Sequence, residues 1–159
     1  MTPDQALNRA AAYCSQAERA PQDVEDKLRN WEVSDEDIEQ IMQRLRDDNF
    51  LNEERYVHAF INDKFLYERW GRIKIIFALR QKGISGSIVN NTLDDVIDPD
   101  AYLETLTDLL RAKMRGMSVP LDQRNRAKLY RFAQQRGFEA GFISRALSVL
   151  NSGSDDDDF

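Results

Sequence analysis

The sequence predicts an all-α protein assembled from tandem three-helix repeats, about nine helices in all, and three observations predict it. Apolar residues recur at three- and four-residue spacing from Ala6 to Leu150. Chemically explicit starts and stops divide that pattern into helix-length segments. Only 7 glycines and 4 prolines interrupt the 159 residues, and the abundant Leu, Ala, Arg, Glu and Gln favour helix over strand.

Thr2 followed by Pro3 is an N-cap with a first-turn proline, and Ala6, Leu7, Ala10, Tyr13, Cys14 and Ala17 then form one stripe of a helix over 3–18. Pro21 opens a shorter helix with Val24, Leu28 and Trp31 inward. Ser34 caps a third, with Asp37 three residues on and Ile38, Ile41, Met42 and Leu45 on its buried side. Asn52 caps a fourth, which has Glu53 and Glu54 at the positive end of its dipole and buries Tyr56, Val57, Phe60, Ile61 and Phe65. Gly71 precedes a fifth helix that carries Ile75, Ile76 and Leu79 and stops at Lys82-Gly83, with Ile84 as the apolar partner of that stop. Ser85 begins the sixth, with Ile88, Val89, Leu93 and Val96 inward. Asp98-Pro99 starts a seventh through Tyr102, Leu103, Leu106, Leu109 and Leu110. After the turn-like segment 116–121, Asp122 caps an eighth helix that turns Ala127, Tyr130 and Ala133 inward and ends at Arg136-Gly137. Phe138 then takes the role of Ile84, and a ninth helix buries Phe142, Ile143, Ala146, Leu147 and Leu150.

The rounds repeat. Gly83, Ile84, Ile88, Val89 and Leu93 match Gly137, Phe138, Phe142, Ile143 and Leu147 at a constant offset, whereas the first round, entered at Val33 and Ser34, needs a one-residue insertion before Ile38. The expected units are residues 1–51, 52–97 and 98–151. Residues 152–159, ending in Asp155 to Asp158 and Phe159, form an acidic tail without an apolar period, expected to be disordered. Its four carboxylates either aid solubility or imitate a phosphate backbone toward the protein's own basic faces.

One cysteine, Cys14, allows no intramolecular disulfide, and no segment approaches the roughly 18 consecutive apolar residues of a membrane span. With no secretory signal at the N-terminus, the expectation is a cytoplasmic protein without membrane contact. The net charge is −6, but it is unevenly placed: −8 over 1–54, +5 over 55–90, −6 over 91–110, +7 over 111–136 and −4 beyond. Such basic segments can meet anionic partners despite an acidic total.

Catalysis finds little support. His58 is the single histidine, so no His/Cys metal cluster, Cys-His pair or Ser-His-Asp set is available, and no phosphate-cradling Gly-rich loop is present. Asp35, Glu36 and Asp37 sit at a helix start, where capping and the dipole explain them without a metal. The expectation is a protein that is not an enzyme and needs no cofactor. Trp31 and Trp70, near helix junctions, read as core wedges rather than base-stacking platforms.

Leu51 to Val57 (LNEERYV), then Phe60-Ile61, Gly71 to Ile75 (GRIKI) and Ala78 to Ile84 (ALRQKGI) resemble in order and spacing the central repeat of the RecX family. Ala6-Leu7, Tyr13, Arg19, Leu28 and Leu45 resemble its first repeat, and Arg136-Gly137-Phe138 with Phe142 and Leu147 its third, so the likeness covers about residues 3–150. Two departures stand out, Glu53 where the family often has Asp and Arg72 where it often has Pro. The resemblance implies an elongated, curved array that lies in the groove of the RecA filament on single-stranded DNA. It also implies a regulator that restrains filament extension and strand exchange, within recombination and the SOS response, with no catalysis of its own.

The candidate partner- or DNA-binding residues are the basic ones: Arg69, Arg72, Lys74, Arg80 and Lys82 around the fifth helix, and Arg111, Lys113, Arg115, Arg124, Arg126, Lys128 and Arg131 around the seventh and eighth. Arg124, Lys128 and Arg131 recur at four and three residues and share one helix face. The RecA filament is the expected partner, with single-stranded DNA assisting through these faces, and a monomer fits insertion into a groove. Two other classes fit parts of the pattern. The segment from Leu79 to Leu93 has a helix–glycine turn–helix outline that could read duplex DNA, and the whole could be a general helical scaffold.

Overall fold

The computed structural model describes residues 1–152. Among them are nine α-helices and no strand: α1 Pro3–Gln16, α2 Pro21–Asn30, α3 Asp35–Asp47, α4 Glu53–Asn62, α5 Arg72–Gln81, α6 Ser87–Val96, α7 Pro99–Lys113, α8 Gln123–Gln135 and α9 Ala140–Ser152. A π-helical turn, Asp63–Tyr67, extends α4. The expectation of a disordered tail falls outside the described residues, apart from Ser152, which closes α9.

Local chemistry sets the helix starts. Thr2 and Gln5 form a reciprocal capping box, the Thr2 hydroxyl accepting from the Gln5 amide and the Gln5 side chain accepting from the Thr2 amide. Ser34, Asn52, Asp98 and Asp122 each accept from the amide three residues on, at 3.3, 3.0, 3.1 and 2.7 Å.

The stops share one geometry. At the end of α5, the Ile84 amide donates to Leu79 and the Gly83 amide to Arg80, with Gly83 at φ 76°. At the end of α8, the Phe138 amide donates to Ala133 and Gly137 to Gln134, with Gly137 at φ 96°. The same pair of bonds closes α2, where Val33 donates to Leu28 and Glu32 to Arg29, but there the left-handed position (φ 62°) is held by Glu32. The first round therefore uses the device that glycine marks in the other two.

Several sequence expectations change at the edges. Helix α1 stops at Gln16 because Ala17 is fully extended, and α6 starts at Ser87 because Gly86 stands at φ 86°. In α8 the buried pair is Leu129 and Ala133, four apart, which leaves Ala127 exposed and Tyr130 half-buried. The two tryptophans are half-buried rather than central: the Arg9 guanidinium lies 4.4 Å from the Trp31 ring, and the Lys64 and Lys74 ammoniums 4.9 and 4.4 Å from Trp70.

The chain forms two compact units, residues 1–60 with 79–92, and residues 61–78 with 93 onward. The division runs inside α4, α5 and α6, so the middle round contributes to both. In the first unit, α1, α2 and α3 enclose Ala6, Ala10, Cys14, Val24, Leu28, Ile38, Ile41, Met42, Leu45 and Leu51. Burial raises the Cys14 thiol above its ordinary pKa, as desolvation of a thiolate requires.

In the second unit, α7, α8 and α9 pack on Leu106, Leu110, Leu129, Ile143 and Leu147. Tyr102 is its hub. The ring is fully buried, 5.0 Å from Phe138 and 4.9 Å edge-on to Phe142. Its hydroxyl accepts from the Arg72 amide at 2.8 Å and donates to Glu139. The start of α5 seats against the α8–α9 turn: the Gly71 and Ile73 amides donate to the carbonyls of Arg136 and Gly137 at 2.8 and 3.0 Å. Three amides at the start of α5 that no intrahelical carbonyl can serve are thereby satisfied. A Cβ on Gly71 would stand 2.3 Å from the Gly137 carbonyl, so the two backbones meet with no room for a side chain. The Arg136 guanidinium closes the junction by donating to the carbonyls of Glu68 and Arg69.

Candidate functional site

The basic residues named from the sequence divide into groups with different structural commitments. In the second unit, Arg72 is turned inward. It is 18% exposed, pairs with Glu139 at 3.3 Å, and lays its guanidinium 4.1 Å from the Tyr102 ring centroid. Lys74 covers Trp70, and Arg69 is exposed with its backbone left-handed at φ 57°. In the first unit, Lys82 bonds Asp23 at 2.7 Å, an interaction that raises the lysine's pKa, while Arg80 is exposed. Arg72 and Lys82 thus hold their own units together.

The α7–α8 group is different. Arg111 pairs with Asp108 of its own helix at 3.0 Å, both well exposed, which contributes little to stability. Lys113, Arg115, Arg124, Arg126, Lys128 and Arg131 make no ion pair among the described residues. Lys113 lies 5.2 Å from the Phe132 ring, and all of these but the half-buried Arg126 are exposed. The end of α7, the following loop and the first turns of α8 enclose an open depression of about 600 Å³, lined among others by Lys113, Arg115, Ser118, Asp122, Asn125 and Lys128. Three cations face one carboxylate there, and that carboxylate already caps α8 through the Asn125 amide. Arg124 and Arg131 continue the Lys128 face along α8.

The first unit has a larger depression of opposite sign, about 950 Å³, where Glu25, Asp35, Glu36 and Glu39 outnumber Arg29 and Arg46. No group of three or more metal-ligating side chains occurs among the described residues. His58 is exposed on α4. No described helix is long and apolar enough to cross a membrane. The chemistry on offer at the α7–α8 surface is electrostatic capture of phosphates or carboxylates.

Sequence reading missed the outward apolar side chains of the second unit: Leu66, Tyr67 (80% exposed), Ile73 (54%) and Phe77 (60%). A signal existed in RIKIIFALR, whose apolar residues occupy both sides of the helix: Ile75 and Leu79 inward, Ile73 and Phe77 outward.

Capped three-helix rounds define a helical-repeat protein, and exposed cations on its α8 make no ion pair among the described residues. The chain belongs to the RecX family: residues 6–45, 52–93 and 100–147 match, in order, the first, second and third three-helix domains of RecX. It is 31% identical over 145 residues to regulatory protein RecX of Prosthecochloris aestuarii, covering 91% of this chain and 93% of that one. Against regulatory protein RecX of Pseudomonas fluorescens SBW25 the identity is 35% over 123 residues, 77% of this chain and 76% of the relative. The crystal structure of RecX from Lactobacillus salivarius shares the fold, with a TM-score of 0.83 at 22% identity over 94% of this chain and 97% of that one. A second crystal structure, of a regulatory protein RecX, gives 0.80 at 21% identity over 92% and 71%.

Proposed function

We propose that the protein is a non-catalytic cytoplasmic modulator that binds the RecA filament on single-stranded DNA and restrains its extension and strand exchange. Membership of the RecX family supports the partner. The observation that carries the binding surface is the set of exposed cations on the α7 end and α8, centred on Arg124, Lys128 and Arg131, which make no ion pair among the described residues. Cations held on a helix are suited to meet either the DNA phosphates or acidic surface of the recombinase, and the strength of both contacts falls as salt rises. The protein acts as a monomer in this reading, and the repeat units are residues 1–51, 52–97 and 98–151.

The test is RecA's DNA-stimulated ATP hydrolysis and strand exchange, measured as purified protein is added. A dose-dependent loss of both is expected. Unchanged recombinase activity at saturating protein refutes the proposal, and tight, sequence-selective binding to duplex DNA in its place establishes a duplex reader.

A further inference from the structure

The second unit leaves four large apolar side chains in solvent along one short stretch of chain: Leu66, Tyr67, Ile73 and Phe77, which are 59, 80, 54 and 60% exposed. The other exposed large apolar residues among those described, such as Phe50 and Val119, stand singly along the chain. Arg136 and Gly137 pin both segments that carry the four. The Arg136 guanidinium donates to the carbonyls of Glu68 and Arg69, directly after Tyr67, while the Gly71 and Ile73 amides donate to the carbonyls of Arg136 and Gly137. Phe77 follows Ile73 by one turn of α5, on the same face. The Lys64 and Lys74 ammoniums reach the same ring, Trp70, which ties the π-helical turn to α5. The backbone beneath the patch is therefore set before any partner arrives, and docking there costs little ordering.

Size and neighbouring charge decide the occupant. The four side chains offer roughly 500 Å² of apolar surface, the size at which a patch on a monomer is commonly functional. A stable interface buries about 800 Å² on each partner, so this patch by itself does not hold a second copy. A nucleic-acid strand fits poorly for another reason. Phosphate contacts dominate its affinity, and the neighbouring cations are engaged, Arg72 with Glu139 and Lys64 and Lys74 with Trp70. Leu66 and Ile73, being aliphatic, give a base no ring to stack on. Apolar protein surface fits, and the exposed Arg69, two residues after Tyr67, asks for a carboxylate at its border. We infer that Leu66, Tyr67, Ile73 and Phe77 dock on an apolar, acid-bordered surface of the recombinase and form the part of filament binding that salt does not weaken. The inference rests on the RecA filament being the partner and assigns a protein contact within it. Tyr67 and Phe77 supply the rings, the kind of side chain that concentrates binding energy in such contacts. The patch and the α7–α8 cations belong to the same unit. Once one of them is engaged, the other meets its target at a raised effective concentration, so a patch too small to bind alone suffices on a partner already captured.

The test measures binding of the full chain to RecA assembled on a fluorescent oligothymidylate. Tyr67→Ser with Phe77→Gln should weaken that binding about tenfold or more. The slope of log affinity against log salt should stay the same, because no cation is removed. Urea unfolding should shift little, since both side chains stand in solvent. If the double variant fails to fold, Tyr67→Ser alone carries the test, with an expected loss of about threefold or more. Filament affinity equal to that of the unaltered chain overturns the inference and leaves the filament as partner. An unaltered chain that binds no filament removes the partner, and the inference with it. An equal loss on bare oligothymidylate puts nucleic acid on the patch instead of protein. A dimer seen by sedimentation and abolished by the two substitutions puts a second copy there.

Discussion

Tyr102 concentrates more of the second unit's organisation than any other side chain. Its hydroxyl serves the Arg72 amide and Glu139 together, and its ring carries Arg72 on one side and Phe142 edge-on. Tyr102→Phe keeps the ring but leaves the Arg72 amide without its acceptor and the Glu139 Oε1 without the hydroxyl that donates to it. A loss of about 1–3 kcal/mol is expected in urea unfolding. Burial first, and then the bond to Glu139, push the phenol's pKa far above the ordinary tyrosine value. A proton held more tightly in the folded state stabilises it fully below about pH 10, the ordinary value for tyrosine. That contribution fades as the pH rises past it, because only the unfolded chain releases the proton. Tyr102 should therefore ionise only with unfolding in an alkaline absorbance titration, and Tyr102→Phe should remove that step. Gly71 is as exacting in another way. Gly71→Ala drives a methyl into the Gly137 carbonyl, and a cost of about 3 kcal/mol is expected, several times the usual effect of exchanging these residues. A loss below 1 kcal/mol would mean that the junction gives way easily.

Helix ends carry the repeat more faithfully than helix faces do. Four stops share the same two backbone bonds, the end of α3 included, yet Glu32 and Asn49 hold with a side chain the left-handed backbone that Gly83 and Gly137 hold without one. Glu32→Gly should stabilise the protein by about 1 kcal/mol, seen as a higher urea midpoint with an unchanged slope. A neutral or destabilising result would show that glycine's freedom in the unfolded chain outweighs the relieved strain. Helix α5 is legible only in part for a related reason. Its inward stripe, Ile75 and Leu79, follows from spacing, but Ile73 and Phe77 add a second apolar side that blurs it. The π-helical turn before it was invisible, because its wider hydrogen bonds, such as Glu68 to Asp63, have no sequence mark comparable to a cap.

The molecule is acidic in total, yet its cations are concentrated in two segments, 55–90 and 111–136. If the protein binds the RecA–single-stranded DNA filament as proposed, Arg124→Glu, Lys128→Glu and Arg131→Glu together should weaken that binding. If all three meet phosphates, the slope of log affinity against log salt should shrink by about 2. An unaltered affinity and slope would remove this face from the interface. The engagement of Arg72 with Glu139 and of Lys82 with Asp23 gives the complementary expectation. Their replacement should appear first as lost stability, and filament binding should change only as far as folding does.

By itself, the sequence determined the helical class and most of the caps, because each depends on groups within five residues of one another along the chain, and the recurrence of those marks revealed the rounds. The candidate cations are visible in the sequence as a charge pattern, but which of them are engaged within the fold is not. Whether Arg72 faces a partner or the core depends on Tyr102 and Glu139, which lie 30 and 67 residues away. The close approach of Gly71 to Gly137, the burial of Leu129 in place of Ala127 in α8 and the position of Asn151 against the Leu121 amide were likewise decided by packing. Local hydrogen bonding is written in neighbouring residues, whereas burial and electrostatic partnership arise only when distant segments are brought to one place.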